Sequence, residues 1–171
     1  MERAMKGGLG AHCVKVGNLI VAAVVAVNCL GDVIDPVTGR IVAGAMQMDP
    51  FRFLDSETGM LQQCEQTGNR FAGNTTIGAI ITNANLSKAQ ATKVSSMSHD
   101  GYARTMRPAH TLLDGDTIFT LSIGGVDAEI SAVGVLAAKV MEQAVLSAVQ
   151  SAGSLAGFPC YQDIRAMTEN H

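Results

Sequence analysis

Apolar and polar positions in this chain fall into three kinds of pattern. The first is strand-like. "AHCVKV" at 11–16 alternates and runs into a Gly17-Asn18 turn, after which "LIVAAVVAVNCL" at 19–30 is apolar almost without interruption. Its small and β-branched residues predict a strand buried on both faces, with Asn28 ending the run. "DPVTGR" at 35–40 is turn chemistry, Pro36 fixing φ and Gly39 permitting positive φ, and it predicts a hairpin-like return into "IVAGA". Residues 75–83 and "TIFTLSIGG" at 117–125 read as two further strands.

The second pattern is helical. "LSKAQATKVSSMSHDGYARTM" offers Ser87 as an N-cap, is Ala-rich, and must stop before Pro108, although Gly101 weakens its last turns. In "AEISAVGVLAAKVMEQAVLSAVQSAG", apolar residues at 133, 136, 137, 140, 141, 144, 145 and 148 form a stripe of 3.6-residue period, predicting a long helix. The third pattern is no period at all. From Met46 to Gly73 isolated Phe, Met and Leu mix with polar residues, and this stretch reads as an irregular connection, a length that is uncommon unless functional or disordered. Met46, Met48 and Met60 are expected to fill gaps or lie in that loop. Beyond Gly153 the signal fades into a tail. The order strand, strand, loop, strand, helix, strand, helix predicts an α+β layered fold in one domain spanning 1–171, though the strand–helix–strand unit by itself also permits α/β.

Composition narrows the function classes. Of 171 residues, 47% are hydrophobic and 16% charged, enough to build a core rather than a disordered chain. The net charge of -3 and scattered Lys and Arg give no footprint for nucleic acid. Cys13, Cys29, Cys64 and Cys160 lie far apart with no CxxC, so neither a zinc site nor a disulfide framework is indicated and reduced thiols in the cytoplasm are expected. The 19–30 window is too short to cross a membrane, where about 20 residues are needed, and 130–149 carries Lys139, Glu142 and Gln143. "MERAMKGGLG" has no apolar region of signal-peptide type behind it. A soluble, untargeted protein without membrane or cofactor is the expectation.

Three polar clusters stand at predicted strand ends: Asn28, then Asn74-Thr75, then "HTLLDGDT" with His110, Asp114 and Asp116. Each has an ordinary reading. Asn28 caps a turn, Asp-Gly-Asp makes one, and a hydroxyl residue starts a strand. His110 has the intermediate pKa of a general base, but a structural role is favoured, and His12 and His99 read as solvated or packed.

Taken together the clusters match a family. "GNTTIGAIITNANLSKAQATKVSSMSHDGYARTMRPAHTLLDGDTIFTLSIGG", with "KGGLG" at 6–10 and "VAVNCLGDVIDPVTGRIVAG" at 25–44, closely resembles the P1 peptidases, which include L-aminopeptidase D-amidase/esterases, β-peptidyl aminopeptidases and the 6-aminohexanoate-oligomer (nylon oligomer) hydrolase. The resemblance covers roughly residues 1–150 and implies an α/β/β/α sandwich of the N-terminal-nucleophile type, here without the substantial region that precedes "KGGLG" in the family. It implies a precursor that cuts itself between Asn74 and Thr75, leaving an α-subunit that ends at 74 with its irregular tail and a β-subunit from 75 to 171. Thr75 matches the nucleophile. Asn28 matches a residue beside it that donates to the oxyanion, and Asp114 and Asp116 match an acidic pair near the threonine; the aminopeptidase branch resembles Ser-x-Glu there, so Asp-Gly-Asp points to the nylon-oligomer branch. Lys6 is the match for that branch's active-site lysine, at a spacing from Asn28 that differs from the family's. The implied substrate is a peptide or amide, the implied assembly a homo-oligomer of processed units. An acyltransferase of the ornithine acetyltransferase type, similar in architecture and also using threonine, is the alternative reading, as is an incomplete subunit that works only with a partner.

The chemistry of a threonine made into a chain terminus is coherent. An alcohol is a weak nucleophile that needs a base beside it, and an α-amine titrates at about 7.7–8.0. One bond cleavage creates both groups on one residue, and the β-branch stiffens χ1 so the hydroxyl holds its direction.

Overall fold

In the computed structural model residues 4–62, 64 and 74–169 are described. Strands β1 (Leu9–Val16) and β2 (Leu19–Ala26) form the first hairpin, turning at Gly17-Asn18. Gly17 has a φ of +59°, the left-handed conformation that glycine enters without a side-chain penalty. β3 (Asp32–Ile34) and β4 (Ile41–Ala43) make the second, across the Asp35–Arg40 turn, as predicted.

The irregular 46–73 stretch is where the pattern misled. It contains a small hairpin, β5 (Met46–Met48) with β6 (Phe51–Phe53), then a short helix α1 (Ser56–Gln62). The structure there depends on a distant carboxylate rather than on local period. Asp32, buried at the start of β3, accepts hydrogen bonds from Ala45 N (3.0 Å), Ser56 N (2.6 Å) and Ser56 Oγ (2.8 Å) and so pins both sides of the hairpin. Met46 is buried and Met48 half exposed. Residues 63 and 65–73 of the expected loop lie outside the described residues.

β7 (Ile77–Ala84) leads into α2 (Lys88–Thr105), whose Ser87 cap forms a full capping box with Gln90. The helix runs straight through Gly101 because that glycine is a packing residue: a Cβ there would stand 2.7 Å from the Ala138 carbonyl oxygen and 2.9 Å from Met141 Cβ. A two-residue strand β8 (Met106–Arg107) pairs with β3, then β9 (Thr117–Val126) lies parallel to β7. α3 (Ile130–Gln150) follows, capped by the Glu129 side chain on Ala132 N. The supposed tail holds a last helix, α4 (Tyr161–Glu169), where Asp163 accepts from Cys160 N at 2.9 Å.

The principal sheet has the order β1-β2-β7-β9, and α2 and α3 cover one face of it. Val21, Ala23 and Val25 of β2, Ile80 of β7, and Val133, Ala137, Val140, Met141, Ala144 and Val145 of α3 are buried between the layers. α3 has the length and apolarity of a membrane span, yet that apolar stripe is the one closed against the sheet. β2 is therefore covered on one face only, not two: Ile20 and Val24 point away from the helices. The register aligns Ala26 with Ile77, Ala79 with Phe119 and Ile81 with Leu121 on that outer face. Phe119 is 59% exposed and Ile123 75%. Thus the principal sheet with α2 and α3 supplies one sheet layer and one helix layer, and that sheet's second face is itself apolar.

Candidate active site

The site forms where β7 begins. Thr75 and Thr76 precede the strand, and the parallel pairing with the 114–117 segment extends upstream of it as a bridge between Asn74 and Asp114. Thr117 N donates to Thr76 O (3.0 Å) and Gly115 N donates to Asn74 O (3.2 Å). From the other side Thr75 N donates to Asn28 O at 3.0 Å, just past the end of β2. The predicted residues Asn28, Asn74, Thr75, Asp114 and Asp116 are thereby drawn together from three separate regions of the chain.

Two groups share the Asn74 carbonyl. The Thr75 hydroxyl donates to that oxygen at 2.7 Å, and the Gly115 amide approaches the same atom. Thr76, the neighbouring hydroxyl, is buried and turned inward toward Met106 Sδ at 3.8 Å, so it faces the core rather than the peptide bond. The Asn28 side chain is exposed and makes no hydrogen bond among the described residues.

The two aspartates do different work. Asp114 folds its own loop, with Oδ2 accepting from Thr111 Oγ1 (2.7 Å) and Thr111 N (3.3 Å) and Oδ1 accepting from Leu30 N (3.4 Å), which ties the loop to the segment after Asn28. Asp116 accepts from Thr76 N at 2.8 Å. Burial pushes the Asp116 carboxyl up from the ordinary aspartate range, the bond from Thr76 opposes this, the Asp114 charge adds to it, and His110 and His99 pull it back down. Cys29, between Asn28 and Leu30, donates to Gly31 O (2.9 Å); burial first, then Asp116, pushes its thiol to about 12, which makes it an inert thiol.

Lys6 is held apart from this cluster's hydrogen bonds. Its Nζ donates to Gly7 O (3.2 Å) and its backbone N to Pro159 O (2.8 Å), while Gly7 packs directly on the Val27 carbonyl. His110 lies on His99 with ring centroids 5.0 Å apart and its Nε2 3.3 Å from His99 O, and His99 in turn meets Tyr102 edge-on at 5.5 Å. Gly115 is the residue that sequence reasoning missed. It stood in the quoted Asp-Gly-Asp and was read only as turn chemistry. Among the described residues no cluster of His, Cys, Asp and Glu is placed to hold a metal ion.

One consequence concerns pH. A carboxyl whose folded pKa is raised holds its proton to higher pH in the folded chain than in the unfolded one, so stability falls as pH rises from the ordinary aspartate range through the raised value. Asp116→Asn keeps an acceptor for Thr76 N and removes that loss. Thermal unfolding scans across mildly acidic pH are expected to show a flatter decline for Asp116→Asn than for wild type. Asp32, also pushed up by burial, contributes equally to both proteins, so the difference belongs to Asp116. Parallel curves would mean that the carboxyl is freely solvated.

The helix-backed sheet belongs to the N-terminal-nucleophile-hydrolase type of fold. Two solved structures share it. A Burkholderia sp. β-aminopeptidase superposes with a TM-score of 0.61 at 20% identity, over 96% of this chain and 48% of its own. The L-aminopeptidase D-Ala-esterase/amidase of Ochrobactrum anthropi, described as a new variant among the Ntn hydrolase fold, gives 0.55 at 16% identity over 99% and 50%. The chain belongs to peptidase family S58, whose sequence model matches residues 1–161. An uncharacterised aminopeptidase of Mycobacterium leprae is 37% identical over 92% of this chain and 48% of its own length. A 6-aminohexanoate-oligomer endohydrolase of Kocuria sp. is 28% identical over 87% and 46%. The chain thus spans about half the length of the curated relatives it matches.

Proposed function

We propose that this chain carries the nucleophile of a self-processing amide hydrolase, with Thr75 as the attacking residue in both maturation and turnover. The observation that carries the reading is the Thr75 hydroxyl at 2.7 Å from the carbonyl oxygen of its own upstream peptide bond. In maturation Thr75 Oγ attacks the Asn74 carbonyl carbon, the C–N bond to Thr75 breaks, and the hydroxyl proton ends on the departing nitrogen. The resulting ester between Asn74 and Thr75 Oγ takes up water, giving an Asn74 carboxylate and a Thr75 with free amine and free hydroxyl. The two products are the segment ending at 74 and the segment 75–171.

In turnover the new α-amine, with an ordinary pKa near 7.7–8.0, takes the hydroxyl proton as Thr75 attacks an amide carbonyl. The Asn28 side-chain amide donates to the oxyanion. Asp116, anchored on Thr76 N, and Asp114 beside it supply the negative charge that holds the ammonium. The tetrahedral intermediate then collapses: the substrate C–N bond breaks, the α-ammonium returns its proton to the departing amine, and water hydrolyses the acyl ester left on Thr75 Oγ, freeing the acid and the Thr75 hydroxyl. Peptides and ω-amino-acid oligomers are the substrate class, matching the two kinds of activity named among the relatives. Processed units assemble as homo-oligomers in this reading.

Intact mass of the full-length protein after prolonged incubation tests it. Two species meeting at Asn74/Thr75 are expected. A single uncut chain that nevertheless hydrolyses amides would overturn the assignment of Thr75.

A further inference from the structure

The geometry points to the backbone N–H of Gly115 as the donor that stabilises the Asn74 carbonyl oxygen during self-cleavage, and to the missing side chain of Gly115 as the space in which the Thr75 hydroxyl attacks. The inference rests on the self-cleavage reading and assigns a residue that reading does not need. As Thr75 Oγ bonds to the Asn74 carbon, the C=O pair moves onto oxygen, and an N–H already aimed at that atom gains strength as the charge develops. Gly115 N donates to Asn74 O at 3.2 Å in the uncut chain, so the donor is in place before reaction.

Its position is fixed by groups on both sides. Upstream, Asp114 N donates to Thr111 O (3.2 Å) and the Asp114 carboxylate takes the Thr111 hydroxyl and amide and Leu30 N. Downstream, Asp116 takes Thr76 N and Thr117 N donates to Thr76 O. The loop therefore cannot slide relative to the bond to be cut. An ordinary rung of a parallel ladder has one donor on the carbonyl; here a hydroxyl belonging to the next residue occupies the same oxygen.

The glycine is required for a separate reason. A Cβ built at 115 falls 2.6 Å from Thr75 Oγ1 and 3.4 Å from Thr75 Cγ2. Its φ is not in the left-handed region, so alanine is compatible with the backbone and the only conflict is with the nucleophile. Asn28, whose side chain makes no hydrogen bond among the described residues, remains the donor for substrate; Gly115 serves the first, intramolecular cut.

The test replaces Gly115 by glycolic acid in the full-length protein through cell-free synthesis, exchanging one N–H for an ester oxygen and changing nothing else in size. The rate of appearance of the Asn74 and Thr75 fragments is followed by intact mass. A fall of roughly 10²–10³-fold, with a melting temperature near wild type, is the expected result. Gly115→Ala, which keeps the N–H, is expected to slow the same cut by crowding the hydroxyl, and it decides the matter if the ester variant does not fold. Cleavage at the wild-type rate in the ester variant, or in Gly115→Ala should that be the folded one, overturns the inference and leaves Thr75 untouched. Wild-type protein that never cuts at Asn74/Thr75 removes the self-cleavage reading itself, a different outcome from either variant's behaviour.

Discussion

Thr75→Ala is expected to leave the full-length protein as one uncut chain with amide hydrolysis reduced by roughly 10⁴-fold or more, the scale of losing a nucleophile. The magnitude follows from the lack of a substitute. Thr75 Oγ1 is on the Asn74 carbonyl, whereas Thr76 Oγ1 is buried and spent on Met106 Sδ. Little stability should be lost, because Thr75 is only partly buried and its hydroxyl bonds an atom that Gly115 N also serves. Thr75→Ser should retain part of both reactions, since it keeps the oxygen and loses the β-branch that restricts χ1. Mass spectrometry reads the cut and a chromogenic amide reads turnover. Fragments meeting at Asn74/Thr75 in the alanine variant would transfer the nucleophile's role to another residue.

Asn28→Ala is expected to lower turnover by roughly 10²–10³-fold, the usual loss from one oxyanion donor, with KM changing less. The contact through which Asn28 holds the site is its backbone carbonyl on Thr75 N, and alanine keeps it. Its side chain, exposed and unbonded among the described residues, contributes nothing to the fold that alanine removes. Melting temperature should therefore move by only a few degrees. A normal turnover number with a large drop in melting temperature would return Asn28 to a structural role.

Features set by neighbours in the sequence were legible before the structure. Ser87 and Gln90 stand three residues apart, so the capping box at the head of α2 is a local fact. The 3.6-residue stripe of α3 needs only the residues that form it, and the turns at Gly17-Asn18 and Asp35–Arg40 are written in their own side chains. α4 was legible in part and overlooked: Asp163 accepts from Cys160 N across a single turn, behind a Gly and Pro stretch that read as a tail.

Elements held by distant partners were not legible. The β5–β6 hairpin and α1 are fastened to Asp32, 24 residues before Ser56, and nothing within 46–62 announces a buried carboxylate elsewhere. β2 looked doubly buried because its outward residues are as apolar as its inward ones; composition cannot say which face a helix layer covers. Gly101 looked like a weak point in α2 until Ala138 and Met141 of α3 were seen against it.

The candidate site divides the same way. The order of the motifs was enough to single out Asn28, Asn74-Thr75, Asp114 and Asp116, because residue type and spacing along the chain carry a family's pattern. That the Asn74 carbonyl meets both the Thr75 hydroxyl and the Gly115 amide was decided only by tertiary structure. Parallel pairing of β7 with β9 requires the long α2 crossover, and it is this crossover that sets Gly115 against the carbonyl of the peptide bond before Thr75.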